Sequence, residues 1–395
     1  MSVSNGRQFL GIPGPTNVPD AVLSAMHRPA VDIRKGELVE ITQQIKEDLK
    51  MITRSSGMPF LFIANGHGAW EAALTNVLSR GDKVLVLESG SFAVGWGEAG
   101  ARLGLDVEVL GGSYQRAVDP DALEARLKAD TAGEIKAILV VQVDTASSVL
   151  NNIPALRRAI DNAGHAALFL VDTIASLGTM DYRMDEWGVD VTVSACQKGL
   201  MMSPGVSFVV ASEKAMERHQ TADLRTAYWD WTGRLAPEHY RSYAGTPPVH
   251  HLFGLQKSFE MIRAEGLEAI FERHRLLAGA TRAAVGKWAE KGEFSFNITA
   301  PEERANSVTT VLLRNGDTLP AIHDYCLEKC GLVIGVGIAA LTGKAMRIAH
   351  MGHVNAPMML GTLATLEMSF KALGIPHGEG GITAAVEYLA AHVPR

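Results

Sequence analysis

Seven short apolar runs separated by amphipathic stretches fill the chain between Phe60 and Val210, and they constrain the fold more than anything else in it. They are Phe60-Leu61-Phe62-Ile63, Val84-Leu85-Val86-Leu87, Val107-Glu108-Val109-Leu110, Ile138-Leu139-Val140-Val141, Leu168-Phe169-Leu170-Val171, Val191-Thr192-Val193 and Phe208-Val209-Val210. Short apolar strands alternating with helices imply an α/β fold with a largely parallel sheet, covered on both faces. One intervening helix carries its own start signal. Asp119 stands as N-cap, Pro120 takes the first helical position, and Leu123 and Leu127 share a face.

Outside this region the pattern changes. Residues 1–20 read as an irregular arm, because Gly11-Ile12-Pro13-Gly14-Pro15-Thr16 is too broken for a helix or strand. Two long helical stretches follow Pro247, the first with Leu252, Leu255, Phe259 and Ile262 on one face. The second carries Phe271, Leu276 and Trp288. Further apolar runs, Val308–Leu313 and Met346-Arg347-Ile348, alternate with helices toward the C-terminus. The expected organisation is an arm (1–20), a large domain (21–275) with a mostly parallel seven-stranded sheet, and a small C-terminal α+β domain (276–395). A chain of 395 residues that is 47% hydrophobic can fill two cores.

Composition excludes several functions. The net charge of -6 and the lack of a basic run argue against nucleic acid as a partner. No stretch approaches the length of a membrane span, and no signal segment opens the chain. Cys196, Cys326 and Cys330 are too few for a disulfide framework and have no metal-ligand spacing. They suit a reducing cytoplasm, and no metal is expected.

The chemistry sits where the strands end. Asp172 closes one apolar run, and Lys198 lies 26 positions later in the polar turn Gln197-Lys198-Gly199 after the next. That pairing suits a pyridoxal phosphate enzyme. The lysine amine joins the cofactor aldehyde, and the carboxylate keeps the pyridine nitrogen protonated so that the ring accepts electrons. Asn65-Gly66-His67-Gly68 opens a helix after the first strand, where free amides and the helix dipole favour an anion. An ordinary Gly-rich turn is the alternative. Phe92, after the next strand, suits a ring that stacks on a flat cofactor, or plain core. Thr145 suits a hydrogen bond to a phenolic oxygen, or simple turn capping. In an open parallel sheet, ligands gather beyond the carboxyl ends of the strands, which is where all these groups fall.

Four segments carry a family resemblance. Gly11-Ile12-Pro13-Gly14-Pro15-Thr16-Asn17-Val18-Pro19, Gly68-Ala69-Trp70-Glu71-Ala72-Ala73-Leu74-Thr75-Asn76, Met184-Asp185-Glu186-Trp187-Gly188-Val189-Asp190 and Gln197-Lys198-Gly199 resemble class V aminotransferases. The nearest group is that of the serine–, alanine– and aspartate–glyoxylate aminotransferases. The resemblance implies fold type I of the pyridoxal phosphate enzymes and a homodimer with active sites at the interface. It implies Lys198 as the cofactor lysine, Asp172 as partner of the pyridine nitrogen, Phe92 as the stacking ring and Thr145 as the hydroxyl. Gly66, His67 and Gln197 become the phosphate cup. Tyr243-Ala244-Gly245-Thr246 resembles a segment that reaches the other subunit's phosphate through Tyr243 and Thr246. Arg347 matches the arginine that grips the substrate α-carboxylate, a contact suited to a planar guanidinium.

The expected function is transfer of an amino group from serine, alanine or aspartate to a small 2-oxo acid, foremost glyoxylate, by a ping-pong route. The chain departs from the family at Asp32-Ile33-Arg34-Lys35, at Asn65 and at Ala195-Cys196-Gln197. Arg34 and the aromatic pair Tyr228-Trp229 are therefore candidates for reading the donor side chain. Two rivals remain: a lyase of the cysteine desulfurase type, with Cys330 as its thiol, and a binding protein that keeps the fold without turnover.

Overall fold

The computed structural model describes residues 2–394. All seven apolar runs enter one sheet. Its strands in spatial order are Met58–Phe62, Ser207–Ala211, Val191–Ala195, Leu168–Asp172, Ile135–Val141, Lys83–Leu87 and Asp106–Leu110. Ser207–Ala211 is antiparallel to both neighbours, and the other six strands run in one direction.

The strands look continuously apolar because each feeds two cores. Leu61, Leu85, Leu87, Ile138, Val140, Phe169, Val171 and Phe208 face one cluster. Their alternates Phe60, Phe62, Val84, Val86, Leu139, Leu168, Leu170 and Val209 face the other. Side chains of a strand point to opposite faces in turn, so a sheet covered on both sides needs apolar residues at every position. Only the edge strand Asp106–Leu110 escapes this demand, with no fully buried position. Among the covering helices, Pro120–Ala129 is capped by the Asp119 side chain, which accepts from the Asp121 N–H, and buries Leu123 and Leu127.

A second sheet has the order Phe9–Gly11, Leu332–Val336, Ala345–Ala349, Val308–Leu313 and Phe294–Phe296. Its first strand corrects the expectation of an irregular arm. Phe9–Gly11 runs parallel to Leu332–Val336, with Gly11 opposite Ile334. The pairing was hidden because three residues ending in glycine carry no periodic signal. A third core lies here, built from Leu276, Trp288, Phe294, Val311, Ile348 and Phe370 among others. The helix Leu267–Trp288 passes from one core to the next. Ile270 packs in the first, and Leu276 and Leu277 in the third. Among the described residues, no helix is long and apolar enough to cross a membrane.

Candidate active site

Six strands pointing one way bring their carboxyl ends to a single edge, and a pocket of about 220 Å³ opens there. Gly66, His67, Phe92, Thr145, Asp172, Gln197, Lys198 and Arg347 all line it. Strand order explains the gathering. Leu168–Asp172 and Val191–Ala195 are parallel neighbours, with Asp172 opposite Val193, so the carboxylate and the lysine leave side by side. Ile135–Val141, which leads to Thr145, flanks Leu168–Asp172 on its other side, and Lys83–Leu87, which leads to Phe92, comes next. Arg347 arrives from the second sheet, in Ala345–Ala349, and Pro13, Gly14 and Pro15 arrive from the arm.

Lys198 is 9% exposed, and its Nζ lies 3.4 Å from Thr145 Oγ1 and 5.5 Å from the centre of the Phe92 ring. Burial, opposed by the Asp172 charge, lowers its pKa to about 8, so the neutral amine is accessible near physiological pH. The lysine turn is held from several sides. Thr16 Oγ1 donates to the Lys198 carbonyl at 3.0 Å, and the Thr16 N–H donates to the Gln197 carbonyl at 3.1 Å. A Cβ on Gly14 would stand 3.0 Å from Lys198 Cε, and Gly14 has φ +105°, so glycine serves both space and backbone there.

Asp172 is buried, and burial raises its pKa to about 6. Two donors oppose that rise. The Ile174 N–H donates to Oδ1 at 2.7 Å and Trp70 Nε1 donates to Oδ2 at 2.6 Å. The tryptophan belongs to the site, and no sequence feature of its own marks it as a partner of Asp172. The available signal was its place one helical turn after His67, on the same helix face, inside the family motif. The His67 and Trp70 rings meet edge to face at 4.6 Å, and Trp70 stacks on Trp96 at 6.0 Å.

The helix Gly66–Val77 points its N-terminus at the pocket. Asn65 caps it, with its side chain accepting from the His67 N–H at 3.1 Å. Gln197 lines the same space, and its amide oxygen is buried without a partner. A buried polar atom left without a protein partner calls for one, and this one belongs to a residue that lines the pocket. Arg347 Nε donates to the Val336 carbonyl at 2.7 Å and Nη1 to the Thr145 carbonyl at 3.0 Å. Those anchors fix the guanidinium plane and leave other N–H groups free for a carboxylate.

Five residues singled out in the sequence lie outside the pocket of their own chain. Tyr243 does not line the pocket. Its side chain is 1% exposed, and its hydroxyl pairs with Thr42 Oγ1 at 2.8 Å within the same chain. The ring packs in the core of its own chain. Thr246 is exposed and also lies away from the pocket. Of the donor-reading candidates, Arg34 is exposed, its guanidinium 5.6 Å from the Tyr240 ring, and outside the pocket lining. Trp229 packs against Phe62 and Gly68 and donates to Glu71 Oε2 at 3.2 Å, and Tyr228 is 40% exposed; neither lines the pocket.

No cysteine lines the pocket either. Cys330 ends the helix before Leu332–Val336, and burial raises the thiol pKa of all three cysteines. The desulfurase reading has no thiol in place. Among the described residues, no cluster of side chains is arranged to hold a metal.

The fold is fold type I of the pyridoxal phosphate enzymes, and known structures share it. The ureidoglycine–glyoxylate aminotransferase of Bacillus subtilis superposes with a TM-score of 0.89 at 23% identity, covering 99% of this chain and 100% of that one. The chain belongs to the family described as aminotransferase class-V, whose profile matches residues 12–361, and it is an aminotransferase. Among its relatives, a serine–glyoxylate aminotransferase of Methylorubrum extorquens is 38% identical, over 97% of this chain and 96% of its own length. An L-aspartate–glyoxylate aminotransferase of Paracoccus denitrificans is also 38% identical, over 95% of both chains.

Proposed function

We propose that the protein is a pyridoxal phosphate-dependent transaminase that moves an amino group from a small L-amino acid (serine, alanine or aspartate) to a small 2-oxo acid, foremost glyoxylate. The observation that carries this reading is Lys198. It is a buried amine with a lowered pKa, placed among a carboxylate, an aromatic face and an arginine. The relatives named above, which use serine or aspartate with glyoxylate, support the substrate class.

The residues present fit the cofactor. Asp172 has one donor on each oxygen, which leaves acceptor capacity for a ring N–H. Phe92 offers a face, the Gly66–Val77 helix N-terminus suits a phosphate, and the Gln197 side-chain amide N–H groups can donate to a phosphate oxygen. When bound, the cofactor supplies the electron sink that stabilises a carbanion at the substrate Cα.

The chain's own groups do the rest. Arg347 binds the α-carboxylate and so orients the Cα–H bond. Lys198 Nζ would take the Cα proton and give it back, acting as base and then acid. The Asp172 carboxylate would pair with a protonated ring nitrogen. Thr145 Oγ1 sits beside Lys198 Nζ and orients the amine. With one substrate leaving before the second enters, the kinetics are ping-pong.

The assembly we propose is a homodimer, with the exposed segment at Thr246 as the part of this motif open to a second copy. The proposed location is the cytoplasm, where three free thiols are stable. The test uses purified protein saturated with pyridoxal phosphate. Serine, alanine and aspartate are each offered alone, and the change in the bound cofactor's visible absorbance is read, followed by glyoxylate or pyruvate. Lys198→Ala should keep the fold and lose both the lysine-dependent absorbance and turnover. An unaltered spectrum in that variant, or no response to any donor in the wild type, overturns the proposal.

A further inference from the structure

We propose that Asp144, which does not line the pocket, is a positioning residue whose carboxylate clamps the Phe92 helix to the Thr145 turn and so holds ring, hydroxyl and arginine in register around Lys198. The inference rests on the transaminase reading of the pocket.

The geometry comes from two strand ends. Ser91–Arg102 starts just after Lys83–Leu87, and its N-cap position is Gly90, which has no side chain to satisfy the first helical N–H groups. Asp144 supplies that cap from another strand. Its Oδ2 accepts from the Phe92 N–H at 2.8 Å and from the Ala93 N–H at 3.1 Å. Its Oδ1 accepts from the Ala146 N–H at 2.9 Å, on the far side of Thr145. One carboxylate thus fixes the residue that bears the ring and both neighbours of the residue that bears the hydroxyl.

The reach extends further. The Thr145 carbonyl accepts from Arg347 Nη1 at 3.0 Å, so the turn that Asp144 shapes also anchors the arginine of the second sheet. Asp144 is fully buried and has no ion-pair partner within salt-bridge distance among the described residues. A buried carboxylate is costly, and one held only by three backbone N–H groups is kept where its geometry matters. Its charge also acts on the site. Burial lowers the pKa of Lys198 and of Arg347, and the Asp144 charge offsets part of that; burial raises the pKa of Asp172, and the same charge adds a little to it.

Gly90 makes the approach possible. A Cβ there would stand 2.3 Å from Asp144 Cγ. The backbone at Gly90 has φ 162°, extended enough for any residue, so that contact is the obstacle to a side chain. Other bonds hold the same two loops together. Ser147 Oγ donates to the Ser89 carbonyl at 2.7 Å and Asn151 Nδ2 donates to Ser89 Oγ at 2.9 Å. A variant without the clamp therefore retains its connection.

The test compares wild type with Asp144→Asn, which keeps the shape and loses an acceptor, and with Gly90→Ala, which displaces the carboxylate without changing charge. In the cofactor-free protein, amide hydrogen exchange should speed up in peptides covering residues 88–97 and 143–148 and stay unchanged in 168–172. With pyridoxal phosphate, both variants should bind it about tenfold or more weakly, as expected for losing a hydrogen bond to a charged acceptor. The visible circular dichroism of the bound cofactor should change as well. Unchanged exchange in 88–97, or cofactor affinity within about twofold of wild type in both variants, would overturn the clamp. Should Asp144→Asn fail to fold, Gly90→Ala decides. A wild type that does not bind pyridoxal phosphate would instead defeat the reading of the pocket, whatever the variants do.

Discussion

Trp70→Phe is the sharpest probe of the site, because it removes one hydrogen bond from Asp172 and keeps an aromatic ring. In the wild type the indole N–H donates to Asp172 Oδ2 at 2.6 Å in a buried setting. Hydrogen bonds to charged groups contribute about 1.5–3 kcal/mol. One pKa unit corresponds to about 1.4 kcal/mol, so loss of the donor should raise the Asp172 pKa by about one to two units. It starts at about 6 and is already raised by burial, and the variant loses a donor to the ionised form, so it moves further up.

The sign of the stability effect follows from proton counting. An unfolded Asp titrates near about 3.9. Between that value and about 6 the folded chain binds the extra proton, so cofactor-free stability falls as pH rises through this window and then levels off. In Trp70→Phe the fall should continue to about pH 7–8. The variant and the wild type should therefore differ little more at pH 5 than their packing requires, and diverge by about 1.5–3 kcal/mol at pH 8. The smaller ring also leaves a gap against Trp96, but that cost does not depend on pH. Urea unfolding of the cofactor-free protein at both pH values measures the divergence. Carbon-13 NMR of the Asp carboxyls, with Asp172→Asn to assign the signal, measures the pKa directly. An equal stability gap at pH 5 and pH 8, with an unmoved Asp172 titration, would refute the reasoning.

Three further outcomes are expected. Arg347→Ala should weaken every amino and 2-oxo acid together by about 2–5 kcal/mol, read from KM and from inhibition by carboxylate analogues, while cofactor affinity stays close to wild type. Tyr243→Phe should cost about 1 kcal/mol of stability through the lost Thr42 contact, with no loss of cofactor affinity measured by equilibrium dialysis; a large affinity loss would show that this hydroxyl serves the phosphate after all. Gly199→Ala should lower both melting temperature and activity, because its Cβ would meet the Leu177 carbonyl oxygen at 2.0 Å and push the lysine turn off its support; a variant with wild-type melting would mean that the turn has more room.

The seven strands were legible because a sheet covered on both faces writes itself as unbroken apolar runs. Their ends were legible for the same reason, and with them Asp172, Thr145, Phe92 and Lys198. Contacts made by side chains far apart in sequence were not. Trp70 and Asp172 are separated by 102 positions, and nothing local to either announces the bond. Asp144 reads as the polar start of a turn, and its partners lie on another strand's helix. The pair Tyr228-Trp229 was a candidate for reading the donor side chain, yet Trp229 packs against Phe62 and Tyr228 is 40% exposed, since period and composition do not tell which side of a segment faces inward. For Tyr243 too, the motif gave the neighbourhood but not which way the ring turns within its own chain.

The early strand Phe9–Gly11 has a consequence for the order in which the protein can be made. Its partner Leu332–Val336 lies some 320 residues later, and Arg347 later still. Thr16, close behind that strand, buttresses the turn that carries Lys198. At roughly 5–20 residues per second, a ribosome needs on the order of 15–70 s between these ends of the site. Through that interval the nascent chain has its large sheet but neither the strand partner that seats its own beginning nor the arginine. The lysine pocket is thus finished only once residues 332–349 have emerged, and a chain released before then is left with a reactive amine and an open wall.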